Sequence, residues 1–399
     1  MVLDDASLRV RLGELRRAAL DRSPIQGLTH CFYRYPARFS PMFAGAAIEA
    51  FSRPGDVVLD PHMGGGTTVI EALVRGRHAI GNDLNSLAVF VTRVKTTCLG
   101  DRECAALLRW ADDTVPALSY RADVDSPNQV ICSRRTRNLS LAMARPIKKI
   151  IALALDGLSS LPTERCREFA RCALLNVGQL ALNGRKRTTP LWEFRELVQG
   201  AVREMLAAAR ALRERVSAIP SAARLPMLMN VNSAVLAEQV PFSQGVRADL
   251  VVTSPPYPGI HILYHRWQVD GRRETPAPYW IAACNDGRGN AFYNFADRRD
   301  TAADGYFEES LRTLRALRRV MKDGALVVQM VAFGDPKNHL RRYLTNMLVG
   351  GFEEVRPLAD AAGGACRRIW RTVPRRRWHA NLKGDLHSSR EVVLVHRAV

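Results

Sequence analysis

The stretch from Ser52 to Asn85, SRPGDVVLDPHMGGGTTVIEALVRGRHAIGNDLN, constrains the fold more than any other part of the chain. A Pro-Gly turn precedes an apolar run at 57–60, three glycines follow, and a helical pattern at about 67–75 leads to a second apolar run at 79–83. Short apolar runs bounded by turn residues are typical of buried strands. The stretch therefore predicts a βαβ unit, in which the two strands are parallel.

Further strand signals occur at 249–253, at 325–331 after the amphipathic stretch 307–324, and at 391–395. Together they predict an α/β fold, a Rossmann-like, doubly wound and mostly parallel sheet. The region between the two groups of strands is rich in Ala, Leu, Arg and Glu and predicts a helical insertion. We expect residues 1–100 to form the cofactor-binding half, 101–230 the basic insertion, a candidate for target recognition, and 231–399 the catalytic half.

The chain carries 58 basic and 39 acidic residues, a net charge of +19. Residues 101–230 contribute +8 (21 basic, 13 acidic) and residues 365–399 contribute +7 (nine basic, two acidic), so the excess is local. The run Arg375-Arg376-Arg377 stands beside Trp378 and His379, a mixture suited to phosphate and base contacts. The charge predicts a nucleic acid as partner.

Several classes of protein and site are not expected. No stretch reaches the roughly 18 uncharged apolar residues of a membrane span, and the eight cysteines form no CxxC pair, so we expect reduced thiols and a cytoplasmic protein. His261 and His265 have ligand-like spacing but no cysteine beside them, and no metal is predicted. The chain contains no GxxxxGK[ST] sequence, which excludes a P-loop.

The three glycines Gly64, Gly65 and Gly66 follow the first strand, where ligands of parallel sheets gather. Without Cβ atoms they let the backbone turn sharply and approach a ligand closely. Asp83, 17 residues after Gly66, ends the second strand, where its carboxylate can accept hydrogen bonds from a ribose. These features predict a nucleotide-type cofactor, with NAD and S-adenosylmethionine both compatible.

Ser254-Pro255-Pro256-Tyr257 follows the apolar run at 249–253. The prolines fix an extended loop that offers acceptors, the Ser254 hydroxyl oxygen and the Pro255 carbonyl. Two acceptors suit an NH₂ group. Hydrogen bonds directed out of the plane of the base free the lone pair of its exocyclic nitrogen, which can then attack a methyl group attached to a sulfonium. Tyr257 is expected to stack on a base flipped out of the duplex.

The motifs DPHMGGGTT, GNDLN and TSPPYP resemble those of the amino-group DNA methyltransferases, the N4-cytosine and N6-adenine enzymes. A tetrapeptide beginning with serine is similar to the N4-cytosine branch. HCFYRYPARFSP (30–41) resembles the segment that holds the methionine part of S-adenosylmethionine in this family. His62, where the family usually has Phe, and Asn232-Ser233, where it has Gly-Asp, depart from the pattern.

The resemblance implies S-adenosylmethionine as cofactor, double-stranded DNA as partner, and a companion restriction endonuclease that acts separately. The expected catalytic residues are Ser254, Pro255, Pro256 and Tyr257. The expected cofactor-binding residues are Tyr35, Pro36, Arg38, Phe39, Asp60, Gly64, Gly65, Gly66, Thr67, Asp83 and Asn232. We call residues 254–258 the catalytic loop, after their expected role. The basic and aromatic mixture that follows this loop, together with the C-terminal run, predicts DNA contacts by Arg266, Trp267, Arg272, Arg273, Arg375, Arg376 and Arg377.

The predicted reaction is methyl transfer to the N4 of a flipped cytosine in a restriction-modification system. C5-cytosine methylation is disfavoured because that reaction needs a cysteine nucleophile, usually in a Pro-Cys pair, and the sequence has no Pro-Cys. Methylation of adenine N6, of RNA or of a protein amide remains open, because the loop recognises NH₂ geometry. A nucleic-acid binder with a degenerate cofactor fold is the non-enzymatic alternative.

Overall fold

A computed structural model provides the structure of the chain. It describes residues 5–36, 38–122, 135–185, 187–219, 225–258, 266–271, 273–285, 293–295, 303–356, 358–359, 365–372 and 390–399. The helices are α1 Asp5–Leu20, α2 Pro41–Phe51, α3 Thr67–Leu73, α4 Ser86–Thr96, α5 Asp101–Arg109, α6 Val115–Ala117, α7 Arg145–Asp156, α8 Glu164–Leu182, α9 Leu191–Ser217, α10 Ala277–Ile281, α11 Asp304–Arg319 and α12 Pro336–Val349. The strands are β1 Val57–Asp60, β2 His78–Asn82, β3 Met227–Met229, β4 Ala248–Thr253, β5 Trp267–Val269, β6 Arg273–Thr275, β7 Met321–Ala332, β8 Phe352–Glu354, β9 Leu358–Ala359, β10 Ala365–Cys366, β11 Arg368–Thr372 and β12 Arg390–Ala398.

The main sheet of the described part has eight strands. Seven follow the order β11-β12-β7-β4-β1-β2-β3, and β8 pairs with β12 beside them. The pairs from β3 to β7 are parallel, and those that β12 makes with β7, β11 and β8 are antiparallel. The predicted Rossmann-like, mostly parallel sheet is therefore confirmed. The chain runs outward from β1 to β3 and returns to β4 on the other side of β1, which creates a switch point between β1 and β4.

Both faces of the sheet are buried, because successive side chains of a strand point to opposite sides. Val58, Leu250 and Val252 pack with α2 and α3, whereas Leu59 and Val251 pack with α11 and α12 on the other face. The apolar runs that predicted the strands thus fill two cores at once, as buried parallel strands do.

Helices cover the described part of the insertion from Asp101 to Ser217. Residues of α8 and α9 form the centre of a third core together with Phe32, Tyr33 and Tyr35 from the segment before the glycine loop. Strand β3 (Met227–Met229), within the range expected for the insertion, pairs with β2 in the main sheet. No helix among the described residues has the length and apolarity needed to cross a lipid bilayer.

The hairpin of β5 and β6 is bound to the helical region. The Gly184 amide donates to the Gln268 carbonyl at 2.8 Å, and Asn138 Nδ2 donates to the Glu274 carbonyl at 2.9 Å. Residues that follow the catalytic loop in sequence therefore belong structurally to the helical region.

Candidate cofactor and catalytic site

A pocket lies beyond the carboxyl ends of β1 and β4, at the switch point of the sheet. It encloses about 770 Å³ of empty space, including the part open to solvent. The residues lining it are Tyr35, Pro36, Arg38, Phe39, His62, Met63, Gly64, Gly65, Thr67, Asp83, Leu84, Asn85, Asn232, Ser233, Ser254, Pro256, Tyr293 and Phe295.

The glycine loop needs glycine at two positions. Gly64 (φ 47°) and Gly66 (φ 76°) have left-handed backbones. A Cβ on Gly64 would lie 3.3 Å from the Tyr35 ring, and one on Gly66 would lie 2.6 Å from Thr92 Oγ1. The loop is therefore pressed between α4 and the segment of Tyr35, so its backbone forms the floor of the pocket.

Asp83 fixes this loop from β2. Its two carboxylate oxygens accept hydrogen bonds from the amides of Gly64 and Asn85, both at 2.8 Å. Burial raises the pKa of Asp83 to about 6, while the two amides oppose the rise. A carboxylate oxygen can accept more than one hydrogen bond, so Asp83 retains acceptor capacity toward a ribose placed in the pocket.

Asp60 lies behind the pocket and does not line it. The Thr253 hydroxyl donates to Asp60 Oδ1 at 2.7 Å and the His62 amide donates to the same oxygen at 3.1 Å. Burial raises the pKa of Asp60 to about 7. The residue therefore joins the ends of β1 and β4, which keeps the glycine loop and the catalytic loop in register.

Tyr35, Pro36, Arg38 and Phe39 form one wall of the pocket, and the helical region holds the residues that precede them. Asn85 Nδ2 donates to the Tyr35 hydroxyl at 3.0 Å. On the other side, Gln179 Nε2 donates to the Arg34 carbonyl at 3.1 Å, and Trp267 Nε1 donates to the Tyr33 hydroxyl at 3.0 Å. Residues of α8 and β5 thus hold the two residues before Tyr35, and this positions the Tyr35 ring over the glycines.

The catalytic loop is pinned by neighbours on three sides. The Ser254 hydroxyl donates to the Met330 carbonyl of β7 at 3.0 Å, the Tyr306 hydroxyl donates to the Pro256 carbonyl at 2.7 Å, and the Gly334 amide donates to the Pro258 carbonyl at 2.9 Å. The single Ser254 hydrogen lies within reach of two acceptors, the Met330 carbonyl and the Tyr257 hydroxyl, each at 3.0 Å. With that hydrogen on either acceptor, the lone pairs of the serine oxygen can accept hydrogen bonds in the pocket.

The Tyr257 ring lies inside the protein, only 4% exposed, and packs in the core beneath β4 and β7. Its hydroxyl lies 3.0 Å from Ser254 Oγ. This burial contradicts the expectation of an open ring face on which a flipped base could stack in this conformation. The two prolines direct the side chain that follows them toward the core, which their sequence did not reveal.

The pocket brings together most, but not all, of the expected site residues. Ser254 and Pro256 line it, as do all the expected cofactor residues apart from Asp60 and Gly66. Met63, Leu84, Asn85, Tyr293 and Phe295 line it without having been predicted. Asn85 lies within the quoted GNDLN motif and was detectable there, whereas Tyr293 and Phe295 are distant in sequence from any motif.

His62 takes part in the pocket through its imidazole. Its ring lies 5.5 Å from the Phe295 ring, centroid to centroid, and burial lowers the pKa of His62 to about 4. The imidazole is therefore neutral at pH 7 and acts as an aromatic wall, in place of the phenylalanine usual in the resembled family.

The residues expected to contact DNA differ in their exposure to solvent. Trp267 is 1% exposed within the core of the helical region, and this burial contradicts a DNA contact by its side chain. Arg273 is exposed, 3.8 Å from Asp270, and Arg266 is partly exposed, so their DNA contacts stay predictions. Arg272, Arg375, Arg376 and Arg377 lie outside the described residues, as do His261 and His265.

Residues 19–90 match the model of a family of DNA methylases, the N6/N4 methyltransferases. The type II methyltransferase M.MvaI of Kocuria varians is 36% identical over 73 residues, which are 18% of this chain and 16% of that protein. The type II methyltransferase M.MjaII of Methanocaldococcus jannaschii is 29% identical over 66 residues, 16% of this chain and 12% of that protein. These matches thus span less than a fifth of either relative. The family match at residues 19–90 includes Tyr35 and the glycine loop.

Solved structures give much weaker likeness. TrmN from Thermus thermophilus is 12% identical with a TM-score of 0.32, covering 90% of this chain and 49% of that one. The rRNA methyltransferase aviRa from Streptomyces viridochromogenes is 15% identical with a TM-score of 0.32, covering 99% and 94%. Identities of 12% and 15% with TM-scores of 0.32 are too low to support a conclusion about the fold or the substrate. The family match and the glycine cradle together support S-adenosylmethionine as the cofactor.

Proposed function

Because residues 19–90 match the model of the N6/N4 DNA methylase family, we propose that the chain is a site-specific DNA methyltransferase that modifies the exocyclic N4 of cytosine. The observation that carries the proposal is the shared pocket. Ser254 at the end of β4 and the glycines at the end of β1 line the same cavity, so an amine held by the serine would face the cofactor.

The cofactor side of the pocket fits S-adenosylmethionine in shape and in donor set. Gly64 and Gly65 allow close backbone approach, Asp83 offers acceptors to ribose hydroxyls, and Arg38 provides a cation near Tyr35 for the carboxylate of the methionine part. When bound, this cofactor supplies a methyl group on a positively charged sulfur. The roles of these residues are part of the proposal.

Ser254 acts on the nucleobase. With its own hydrogen given to the Met330 carbonyl, the serine oxygen accepts a hydrogen from the target NH₂ and holds the nitrogen in line for attack. An acceptor out of the ring plane favours a pyramidal nitrogen, whose lone pair is then free to attack. The proton lost after transfer leaves through Ser254 or water.

The base must leave the duplex to reach Ser254, because the serine lines a pocket and the amine of a stacked, paired base cannot enter it. We propose that the helical region and the β5–β6 hairpin, which form one body, bind the DNA with the basic C-terminal segment. The exposed Arg273 lies on that hairpin. Base flipping and a restriction-modification role, with a separate companion endonuclease, are part of this proposal and rest on the resemblance to type II methyltransferases.

Adenine N6 is the second candidate, because it presents the same NH₂ group and the matched family includes both activities. The serine at position 254 favours cytosine through the resemblance of SPPY to the N4 branch. No described contact discriminates the two rings.

The test is to incubate the purified chain with S-adenosylmethionine and duplex DNA, digest the product to nucleosides and identify the methylated base by mass spectrometry. N4-methylcytosine supports the proposal, and N6-methyladenine replaces it by the second candidate. Cofactor binding without methylation of any nucleic acid would refute the DNA substrate. Sequencing the DNA of cells with and without the gene would give the recognised site.

A further inference from the structure

The core beneath the catalytic loop contains an ion pair on the strand farthest from the glycines. Arg371 of β11 and Glu391 of β12 are directly opposite in register. Nε and Nη2 of Arg371 lie 2.7 and 2.6 Å from the same oxygen, Glu391 Oε2. The side chains are 14% and 4% exposed, so this charged pair is buried and its formation carries a desolvation penalty.

The other carboxylate oxygen points to the catalytic loop. Glu391 Oε1 lies 3.5 Å from the Tyr257 hydroxyl, which in turn lies 3.0 Å from Ser254 Oγ. A continuous polar path therefore runs from Arg371 through Glu391 and Tyr257 to Ser254. Glu391 is 3% exposed and does not line the pocket, so we expect its influence on Ser254 to pass through Tyr257.

The direction of the Tyr257 hydrogen decides what Ser254 can do. The phenol has one hydrogen. In the structure the Tyr257 hydroxyl donates to Glu391 Oε1 at 3.5 Å and accepts from Ser254 Oγ at 3.0 Å, but Ser254 Oγ also lies close enough to accept the phenol hydrogen instead. If the hydrogen goes to Ser254, it occupies a lone pair that the target amine needs. If it goes to Glu391, the serine oxygen keeps its lone pairs. A carboxylate attracts a donor more strongly than a hydroxyl oxygen does.

We propose that Glu391, oriented by Arg371, is a positioning residue that draws the Tyr257 hydroxyl hydrogen away from Ser254 and so keeps the serine free to accept from the target amine. This inference rests on the proposed function and assigns it two residues outside the motifs. It also gives the buried Tyr257 a role through its hydroxyl rather than through its ring face.

The test is a double-mutant cycle on methyl transfer, with Glu391→Gln made in the wild-type chain and in the Tyr257→Phe chain. We expect Glu391→Gln to lower kcat about tenfold in the wild-type background, because the phenol turns to Ser254, while cofactor Kd stays within about twofold. In the Tyr257→Phe background the same change should leave kcat within about twofold of that background. A merely structural role would lower kcat equally in both.

Loss of the carboxylate leaves Arg371 buried without its partner, so Glu391→Gln can destabilise the fold. The double variant Arg371→Met/Glu391→Gln removes both charges and so leaves no unpaired charge in the core. It serves as the test protein if Glu391→Gln alone does not fold, and it should show the same tenfold loss of kcat. Glu354→Gln is the matched control, because it breaks the ion pair with Arg368 (2.6 Å) on the neighbouring strands without contacting Tyr257. It should leave kcat unchanged.

The outcomes separate this inference from the proposed function. If the wild-type chain methylates no nucleic acid, the proposed function fails. If the wild-type chain is active and Glu391→Gln leaves kcat unchanged, or lowers it equally with and without the Tyr257 hydroxyl, the inference alone is overturned.

Discussion

The two loops that meet at the pocket are held in place by different kinds of contact. The glycine loop after β1 contributes backbone, and left-handed Gly64 and Gly66 fit it against Tyr35 and Thr92. The proline loop after β4 contributes side chains, and hydrogen bonds from Ser254, Tyr306 and Gly334 fix it. The difference teaches that the cofactor side depends on close packing and the catalytic side on a hydrogen-bond pattern. The two sides should therefore fail in different ways when mutated.

The largest effect is expected on stability, at Trp267, which packs behind the residues that cover the glycine loop. Trp267→Ala should destabilise the protein by about 3–5 kcal/mol, because a large buried side chain and its bond to Tyr33 are lost. Urea denaturation measures this change. Trp192→Ala, at a tryptophan that is 61% exposed, is the control and should change stability by less than about 0.5 kcal/mol. Lost DNA affinity with unchanged stability would instead restore Trp267 as a DNA contact.

The next effect should appear on the catalytic side alone. Ser254→Ala is expected to lower kcat for methyl transfer by about 100-fold or more, by analogy with removal of one preorganised hydrogen-bonding group. Cofactor Kd, from calorimetry, should stay within about twofold, because the glycine side is untouched. Ser243→Ala, at an exposed serine on the turn before β4, is the control. An equal loss of cofactor affinity would show that the two loops do not act separately.

A smaller effect separates close packing from backbone conformation in the glycine loop. Gly66→Ala and Gly55→Ala both place a side chain at positive φ, 76° and 89°, at a cost of about 1–2 kcal/mol each. Only Gly66→Ala also brings a Cβ within 2.6 Å of Thr92, whereas Gly55 has open space. We expect Gly66→Ala to be less stable than Gly55→Ala by about 2 kcal/mol in thermal unfolding. Equal stability would mean that the loop relaxes freely.

The smallest effect concerns Asp83 and pH. Burial raises the pKa of Asp83 to about 6, so the carboxylate is ionised at pH 7 and mostly protonated at pH 5. The ionised carboxylate accepts hydrogen bonds at both oxygens, whereas the protonated form has lost part of this acceptor capacity. Cofactor affinity should therefore fall about tenfold from pH 7 to pH 5. Calorimetric titrations at both pH values measure the fall. Asp83→Asn should bind more weakly at pH 7 and lose this step. A step of the same size in the variant would assign it to another group, such as Asp60.

Local signals predicted most of the fold. The strands at β1, β2, β4 and β7 and the helix α11 lie within a few residues of their predicted positions, because apolar runs and amphipathic periods are properties of adjacent residues. The pocket residues that were missed, such as Phe295 and Tyr293, reach the site through the path of the chain in space. The expected exposure of Trp267 and Tyr257 was wrong for the same reason, since no local pattern states which side of a loop faces the core.

The sequence by itself determined that the chain builds a mostly parallel sheet with a glycine loop after one strand and an SPPY loop after another, because turn residues and strand periods act over short distances. The tertiary structure decided that these two strands lie side by side, as the pairing of β1 with β4 shows. Only the tertiary structure decided that Tyr257 points inward to Glu391, that Arg371 lies opposite Glu391, and that the helical region supports Tyr35. These contacts join residues more than a hundred positions apart, or on different strands, and their energies depend on burial and distance.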